Sequence, residues 1–208
     1  KILRKSLSGI EGFDEISMGG IPKGRTTLVS GTSGSGKTLF SLQFLYNGIT
    51  KFKEHGVFVT FEETPADISR NVKSFGWNID SLVRQKKFIF VDASPDEAEK
   101  IEVGKYDLSA FLARIIYAIK KVKAQRVVID SLSALFSRYE DMNQIRGELY
   151  RIAAKLKRLG VTTIITGERP EEQGAVARFG IEEFVSDNVI LMHNFIEGET
   201  RLRKIEIL

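Results

Sequence analysis

One short segment of the sequence has the residue types that hold phosphate groups. Residues 31–38 read Gly-Thr-Ser-Gly-Ser-Gly-Lys-Thr, which fits G-x-x-x-x-G-K-[ST] at every fixed position. The glycines at 34 and 36 let the backbone curl, so that successive N–H groups point inward as a nest for an anion. Lys37 is then able to reach the β and γ phosphates of a nucleotide, and the Thr38 hydroxyl is able to ligate Mg²⁺. The segment predicts a site for a nucleoside triphosphate.

The residues on either side of this segment support that interpretation. The run 26–30 before it is typical of a β-strand, and a helical pattern starts at Leu39 behind it. A loop between a strand and the positive N-terminal end of a helix is the context in which this motif binds phosphate. The alternative is a chance match in a turn rich in glycine and serine, and the placement of strand and helix argues against it.

Acidic residues follow two further apolar runs. Asp130 ends one of them, which is the Walker B arrangement and places a carboxylate beside Mg²⁺ at the C-terminal edge of a sheet. Glu62 and Glu63 follow another run, and adjacent residues leaving a strand point to different sides. One can therefore activate the attacking water while the other faces the metal or orients its neighbour. The alternatives are that Asp130 only caps a strand end and that the glutamates only begin a helix near Pro65.

Short apolar runs alternate with longer segments of helical period, a pattern typical of βαβ units in a mostly parallel sheet. Strands are predicted at 26–30, 57–61, 88–91, 126–129 and 161–166. Helical spacing runs over 108–119 and 145–159, with Gly160 placed to end the second helix. The pattern after residue 186 predicts a closing antiparallel hairpin. The predicted fold class is α/β, a mostly parallel β-sheet flanked by helices with a C-terminal antiparallel hairpin.

The composition is that of one compact domain. The 208 residues are 42% hydrophobic and show neither a repeat nor a linker, so we expect a single domain over 1–208. A net charge of +4 from interspersed charges indicates no nucleic-acid arm, and the lack of cysteine excludes disulfides. With no apolar run near the roughly 18 residues of a membrane span, and no signal-peptide core, we expect a cytoplasmic protein and no membrane partner. His55 and His193 have no carboxylate or second ligand at suitable spacing, so neither is predicted to bind metal.

Several segments resemble the RecA-like P-loop ATPases, and among them the first ATPase domain of the KaiC family. They are residues 12–15, 19–24, 62–65, 74–77 and 180–187, and the resemblance covers nearly the whole chain. It implies a hexameric ring with ATP bound between neighbours and slow, Mg²⁺-dependent hydrolysis. A Ser-Thr phosphoacceptor pair of the family's second domain aligns with Glu183 and Phe184, which cannot accept phosphate. The chain therefore resembles the hydrolytic half of the family and not the autokinase half.

The motifs and the resemblance together give a set of expected site residues, with ATP and Mg²⁺ as cofactors. Glu62 is expected to be catalytic with Glu63 in support. The metal is expected to lie against Thr38, Glu63 and Asp130. The residues expected to bind nucleotide are Thr32, Ser33, Gly34, Ser35, Gly36, Lys37, Thr38, Leu39 and Ser74.

The resemblance also implies partners. Copies of the chain would form a homohexamer, and a KaiB-like protein is a further candidate because residues 95–106 lie where the family carries the loop associated with that partner. The family pattern continues after the final strand with a basic segment that reaches the neighbour's ATP. We therefore expect the chain to be part of a longer, possibly tandem, protein. Gly167-Glu168-Arg169 resembles a Thr-Glu-Arg sensor segment, with glycine in the first place.

Two other functions stay open. A DNA recombinase of the RecA or RadA kind would place DNA-binding loops at 133–141 and 169–184. The second loop holds four glutamates against two arginines, an unfavourable balance beside phosphates, so nucleic acid is not an expected partner. The other alternative is a nucleotide-binding switch, in which ATP occupancy drives partner binding and turnover is incidental.

Overall fold

A seven-stranded sheet forms the centre of the computed structural model, which describes residues 3–94, 108–136, 142–178, 180 and 182–208. The strands are β1 (Lys5–Ser6), β2 (Ile21–Pro22), β3 (Thr26–Gly31), β4 (Gly56–Thr60), β5 (Phe88–Asp92), β6 (Arg126–Asp130), β7 (Thr162–Glu168), β8 (Asn188–Glu197) and β9 (Thr200–Ile207). The first two form a separate antiparallel pair. The order across the main sheet is β5-β4-β6-β7-β3-β8-β9, and only the β8–β9 pair in it is antiparallel.

Helices cover both faces of this sheet. They are α1 (Phe13–Ile16), α2 (Lys37–Phe52), α3 (Pro65–Asn71), α4 (Ile79–Arg84), α5 (Leu108–Val122), α6 (Leu132–Phe136) and α7 (Met142–Arg158), with 3-10 helices at Lys73–Phe75 and Glu182–Val185. One hydrophobic cluster lies between the sheet and helices α5 and α7, and a second lies between the sheet and helices α2, α3 and α4. None of the helices in the described ranges is long and apolar enough to cross a membrane.

The two clusters explain why the central strands are apolar throughout. In β4, Val57 and Val59 belong to the cluster with α5 and α7, whereas Phe58 belongs to the cluster with α2. Successive side chains of a strand point to opposite faces, so a strand with helices on both sides needs apolar residues at every position. The α/β class, the mostly parallel sheet and the C-terminal hairpin predicted from the sequence are confirmed.

The predicted bounds differ from the structure by small amounts. Each of the five predicted strands is observed, with its ends shifted by at most two residues. Helix α2 begins at Lys37, earlier than the pattern from Leu39 indicated, because the turn of the phosphate loop runs directly into the first helical turn. Gly160 has φ of 72° just after α7, as expected of a residue that ends a helix.

A buried arginine joins three parts of the fold. Arg126 begins β6, and its side chain is 1% exposed. Its Nε donates to Glu54 Oε2 at 2.7 Å, and its Nη1 donates to the Phe44 carbonyl oxygen at 2.9 Å. Its Nη2 donates to the Leu7 carbonyl oxygen at 2.8 Å. The N-terminal segment, helix α2 and strand β6 are therefore held by one guanidinium.

Glu54 is the charged partner of this arginine. Partial burial alone would raise the pKa of Glu54, but the hydrogen bonds from Arg126 and Lys23 outweigh it and leave the pKa below its usual value of 4.5. The ionised pair therefore stabilises the fold at neutral pH.

Glu54→Gln is expected to lower the free energy of unfolding by about 3 kcal/mol at pH 7, because it leaves a buried guanidinium without its carboxylate. Urea denaturation measures this. Lys23→Gln is the matched control, because it removes the other cation on the same carboxylate, and its side chain is 47% exposed. That change is expected to cost less than about 1 kcal/mol. Equal losses in the two variants would contradict a special role for the buried pair.

The pair also predicts a pH dependence. Since the pKa of Glu54 is lower in the folded than in the unfolded chain, its stabilisation is present above about pH 4.5 and is lost as the pH falls through the folded value. Unfolding midpoints measured from pH 6 to about pH 3 should therefore fall less steeply for Glu54→Gln than for the unchanged chain. Parallel curves for the two proteins would refute the assignment.

Candidate active site

The phosphate loop runs from the end of β3 into the first turn of α2. Gly34 and Gly36 have φ of 75° and 97°, in the left-handed region that glycine adopts without strain. Gly36 is the residue before α2, and no side chain caps the helix there. The N–H groups of the first turn are therefore open to an anion, at the end of a helix where negative charge is favoured.

Lys37 lies across this loop. Its Nζ donates to the carbonyl oxygens of Gly31 and Thr32, each at 2.9 Å. Burial lowers the pKa of Lys37, and the carboxylates of Glu168 and Asp130 act against that shift. The ammonium group is thus held at the loop by backbone oxygens that a phosphate is able to replace.

The first turn of α2 meets the end of β6. Thr38 Oγ1 donates to Asp130 Oδ2 at 2.7 Å, and Thr166 Oγ1 donates to Asp130 Oδ1 at 2.5 Å. Strands β3, β7 and β6 run parallel, so Asp130 at the end of β6 lies at the same edge of the sheet as the phosphate loop after β3. The two motifs that the sequence placed 92 residues apart therefore share one hydrogen bond.

This pair fits a metal that also binds a nucleotide. In the part of the chain that the structure describes, no group of three or more His, Cys, Asp or Glu residues is arranged to hold a metal ion unaided. Mg²⁺ usually takes one or two carboxylates and completes its shell with substrate phosphates and water. The Thr38 hydroxyl and the Asp130 carboxylate match that requirement.

Glu62 and Glu63 follow β4 and line a cleft together with Lys37, Thr38 and Asp130. Partial withdrawal from water raises the pKa of Glu62, and the nearby charges of Asp130 and Glu168 raise it further. Partial withdrawal from water also raises the pKa of Glu63, with Asp130 next in importance. Both carboxyl groups are therefore poised to take up a proton closer to neutral pH than an ordinary glutamate.

The backbone and side chain of Glu63 are held in place. Thr60 Oγ1 donates to its carbonyl oxygen at 2.6 Å, and Asn71 Nδ2 donates to its Oε2 at 3.2 Å. Thr64 then caps α3 by accepting a hydrogen bond from the Asp67 N–H at 3.2 Å. The two glutamates thus lie between the end of β4 and the start of α3. Thr64 caps that helix, so the start of the helix does not by itself explain the two glutamates.

A cleft of about 420 Å³ brings most of the predicted residues together. Those that line it are Ser33, Gly34, Gly36, Lys37, Thr38, Leu39, Glu62, Glu63 and Asp130. Ser131, which was not predicted, lines it as well, and so does Glu168 from the segment that resembles a sensor. Ser131 follows Asp130 directly, so the end of β6 supplies two polar residues to the cleft.

Three predicted nucleotide-binding residues lie outside this lining. The Thr32 hydroxyl donates to the carboxylate of Glu172. Ser35 is buried and packs against Gly31. Ser74 is exposed in the 3-10 helix Lys73–Phe75. Their contact with nucleotide stays a prediction.

The expectation that no carboxylate accompanies His193 is wrong. Its Nδ1 lies 3.3 Å from Glu172 Oε2, and its Nε2 lies 2.8 Å from Glu206 Oε2. Glu206 is 13 residues away and meets His193 across the β8–β9 pair, whereas Glu172 is 21 residues away and meets it because the loop after β7 lies beside β8. His55 Nδ1 lies 2.7 Å from the Val122 carbonyl oxygen. Neither histidine belongs to the cleft.

Some predicted segments lie outside the described residues. Residues 95–106, assigned to a partner loop, are among them, and so are 137–141 of the first loop considered for DNA binding. In the second such loop, Arg169 is 5% exposed and donates from Nε to the Ala175 carbonyl oxygen at 3.0 Å. That guanidinium is committed to the fold of its own loop.

Comparison with known proteins also indicates an ATPase. A family model described as "ATPase: KaiC" matches residues 7–208. The chain is 59% identical over 206 residues to the circadian clock oscillator protein KaiC of Thermostichus vulcanus, and 57% identical over 206 residues to that of Synechococcus elongatus. It is 60% identical over 199 residues to the protein of the same name from a Nostoc species.

These matches cover 96–99% of the chain and 38–40% of each relative, so the chain spans about two fifths of their length. The family model covers nearly all of the sequence, including the phosphate loop, the paired glutamates and Asp130. The chain therefore belongs to the KaiC family of P-loop ATPases.

Proposed function

We propose that this chain is a Mg²⁺-dependent ATPase domain that hydrolyses ATP slowly within a hexameric ring of its own copies. The observation that carries the proposal is the 2.7 Å contact between Thr38 and Asp130, in one cleft with Glu62 and Glu63. A metal-binding pair and a candidate base thus face the same phosphate loop. The relatives are circadian clock oscillator proteins, which supports a role for this turnover in timing.

Binding of the phosphates rests on the loop and the lysine. The N–H groups at the start of α2 and the ammonium of Lys37 provide positive charge, and Lys37 exchanges its backbone oxygens for phosphate oxygens. Thr38 and Asp130, with Glu63 nearby, would hold Mg²⁺, which would supply positive charge beside the β and γ phosphates. The carboxylates of the cleft would then face this cation in addition to Lys37.

Glu62 is the proposed general base. It lines the cleft that also holds Lys37 and Asp130, the place that a base for a water attacking the phosphates has to occupy. Glu63, hydrogen-bonded to Asn71, is fixed in orientation and supports the metal side. Positioning and electrostatics provide most of the rate in this class of reaction, so a small set of residues is sufficient.

We propose that residues 1–208 form one domain of a longer, tandem protein, in line with the share of the relatives that the chain spans. Nucleotide would lie between neighbouring copies in the ring, and a KaiB-like protein would be a further partner. Native mass measurements with and without ATP test the ring directly. A hexamer that forms with nucleotide is expected, and a persistent monomer would contradict the ring.

Lys37→Ala is expected to weaken ATP binding by at least about 100-fold, because the loop loses the charge that reaches the phosphates. Calorimetric titration with a non-hydrolysable ATP analogue and Mg²⁺ measures the affinity. Lys120→Ala, which removes an exposed lysine from α5, is the control and should bind as the unchanged chain does. Retained micromolar affinity in Lys37→Ala would contradict the assignment of this loop as the nucleotide site.

Glu62→Gln is expected to lower steady-state turnover by about 100-fold or more and to leave nucleotide affinity within about threefold, because it removes a base and keeps the shape. Phosphate release measures turnover, and Glu199→Gln in the exposed β8–β9 turn is the charge-matched control. Unchanged turnover would contradict the role of Glu62. Negligible turnover in the unchanged chain, with intact partner binding, would favour a nucleotide switch.

A further inference from the structure

Outside the cleft, a single carboxylate is hydrogen-bonded to both the phosphate loop and strand β8. Glu172 Oε1 accepts hydrogen bonds from the Thr32 hydroxyl and from the Asn194 N–H, the latter at 3.1 Å. Its Oε2 lies 3.3 Å from His193 Nδ1. Burial would raise the pKa of Glu172, but these hydrogen bonds, Thr32 first, leave the pKa below its usual value. The carboxylate is therefore ionised at neutral pH, and its hydrogen bonds are of the stronger, charge-assisted kind.

The other side of this arrangement is fixed by the hairpin. His193 is 16% exposed, and its second nitrogen lies 2.8 Å from Glu206 Oε2 in β9. Strand β8 is also paired with β3, the strand that leads into the phosphate loop. Glu172 is thus anchored to the part of the sheet from which the loop emerges. Its hydrogen bond with Thr32 therefore restricts the movement of Thr32.

Thr32 connects this anchor to the lysine of the site. While its hydroxyl is held by Glu172, its carbonyl oxygen accepts from Lys37 Nζ at 2.9 Å and from the Ser35 N–H at 3.2 Å. A shift of Thr32 would therefore move the backbone turn that carries the N–H groups of the loop. It would also move the oxygen on which Lys37 rests.

The next two residues of the loop face the hairpin through their carbonyl groups. Asn194 Nδ2 donates to the Ser33 carbonyl oxygen and Arg203 Nε donates to the Gly34 carbonyl oxygen, both at the long distance of 3.4 Å. The C=O and N–H of a trans peptide point in opposite directions. Holding the Ser33 carbonyl on the hairpin side therefore turns the Gly34 N–H away from the hairpin.

We propose that Glu172 is a positioning residue that clamps the phosphate loop through Thr32 and presents its N–H groups and Lys37 to the phosphates in a preformed arrangement. Preformed sites bind more tightly because less ordering is needed on binding. This inference rests on the proposed function, since it assumes that the loop binds nucleotide. Glu172 itself touches neither the cleft nor Asp130, so its effect is on affinity and not on the chemical step.

The test uses Glu172→Ala, Thr32→Val and the double variant, with Mg²⁺-ADP affinity measured by titration and KM and kcat for ATP measured in parallel. Each single change is expected to weaken affinity about tenfold, equivalent to about 1.4 kcal/mol. The double variant is expected to stay near tenfold, because both changes break the same contact. KM should rise as the affinity falls, while kcat changes by less than about twofold.

Two further variants separate the clamp from a general effect on the fold. Glu171→Ala removes an adjacent, exposed glutamate and should bind ADP as the unchanged chain does. Glu172→Gln keeps an oxygen able to accept from Thr32 and Asn194, so its affinity should recover to within about threefold. If Glu172→Ala fails to fold, the comparison of Thr32→Val with Glu172→Gln still decides the question.

Affinities of Glu172→Ala and Thr32→Val within about twofold of the unchanged chain would overturn the clamp, and so would additive losses near 100-fold in the double variant. The proposed function fails in a different way. If the unchanged chain binds no nucleotide, or Lys37→Ala binds it equally well, the phosphate site and the clamp fall together. If only Lys37→Ala loses binding, the site stands and the clamp is wrong.

Discussion

Strand β6 is tied to helix α2 at both of its ends, and the arrangement of the cleft depends on that double attachment. At its start, the Arg126 guanidinium donates to the Phe44 carbonyl oxygen of the helix. At its end, Asp130 accepts from Thr38 in the first helical turn. Two fixed points along one rigid helix set its position relative to the strand. The phosphate loop, which runs directly into α2, inherits that position.

The cleft holds more negative charge than the stability of the fold requires. Glu62, Glu63, Asp130 and Glu168 all line it, and Lys37 is the one basic residue among the described residues that do so. Partial burial raises the pKa values of Glu62 and Glu63, and this crowding of negative charge raises them further. Perturbed carboxylates gathered in a cleft are typical of functional sites. A cation in the cleft, such as the Mg²⁺ proposed to accompany the nucleotide, would relieve their mutual repulsion.

The parts of the site that are contiguous in sequence, or that end an apolar strand, were predictable. The phosphate loop is one segment, and Asp130 and Glu62 follow strands whose carboxyl ends must meet at one edge. The strand order was not predictable, because each central strand is apolar on both faces and gives no preference for a neighbour. The contact between Glu172 and His193 was missed for the same reason. Once β7 is known to pair with β3, the loop after β7 has to lie beside the phosphate loop.

The opposite ends of the strands carry residues that stabilise the fold without facing the cleft. Arg126, Glu54 and Lys23 form a charged group there. Arg126 and Asp130 are four residues apart in β6, or about 13 Å along an extended strand. The Glu54 carboxylate lies 2.7 Å from the Arg126 guanidinium, so the two charges largely offset each other at that distance. Arg126 therefore contributes to the site by placing α2 against β6, and its charge has little direct effect on Asp130 or Glu62.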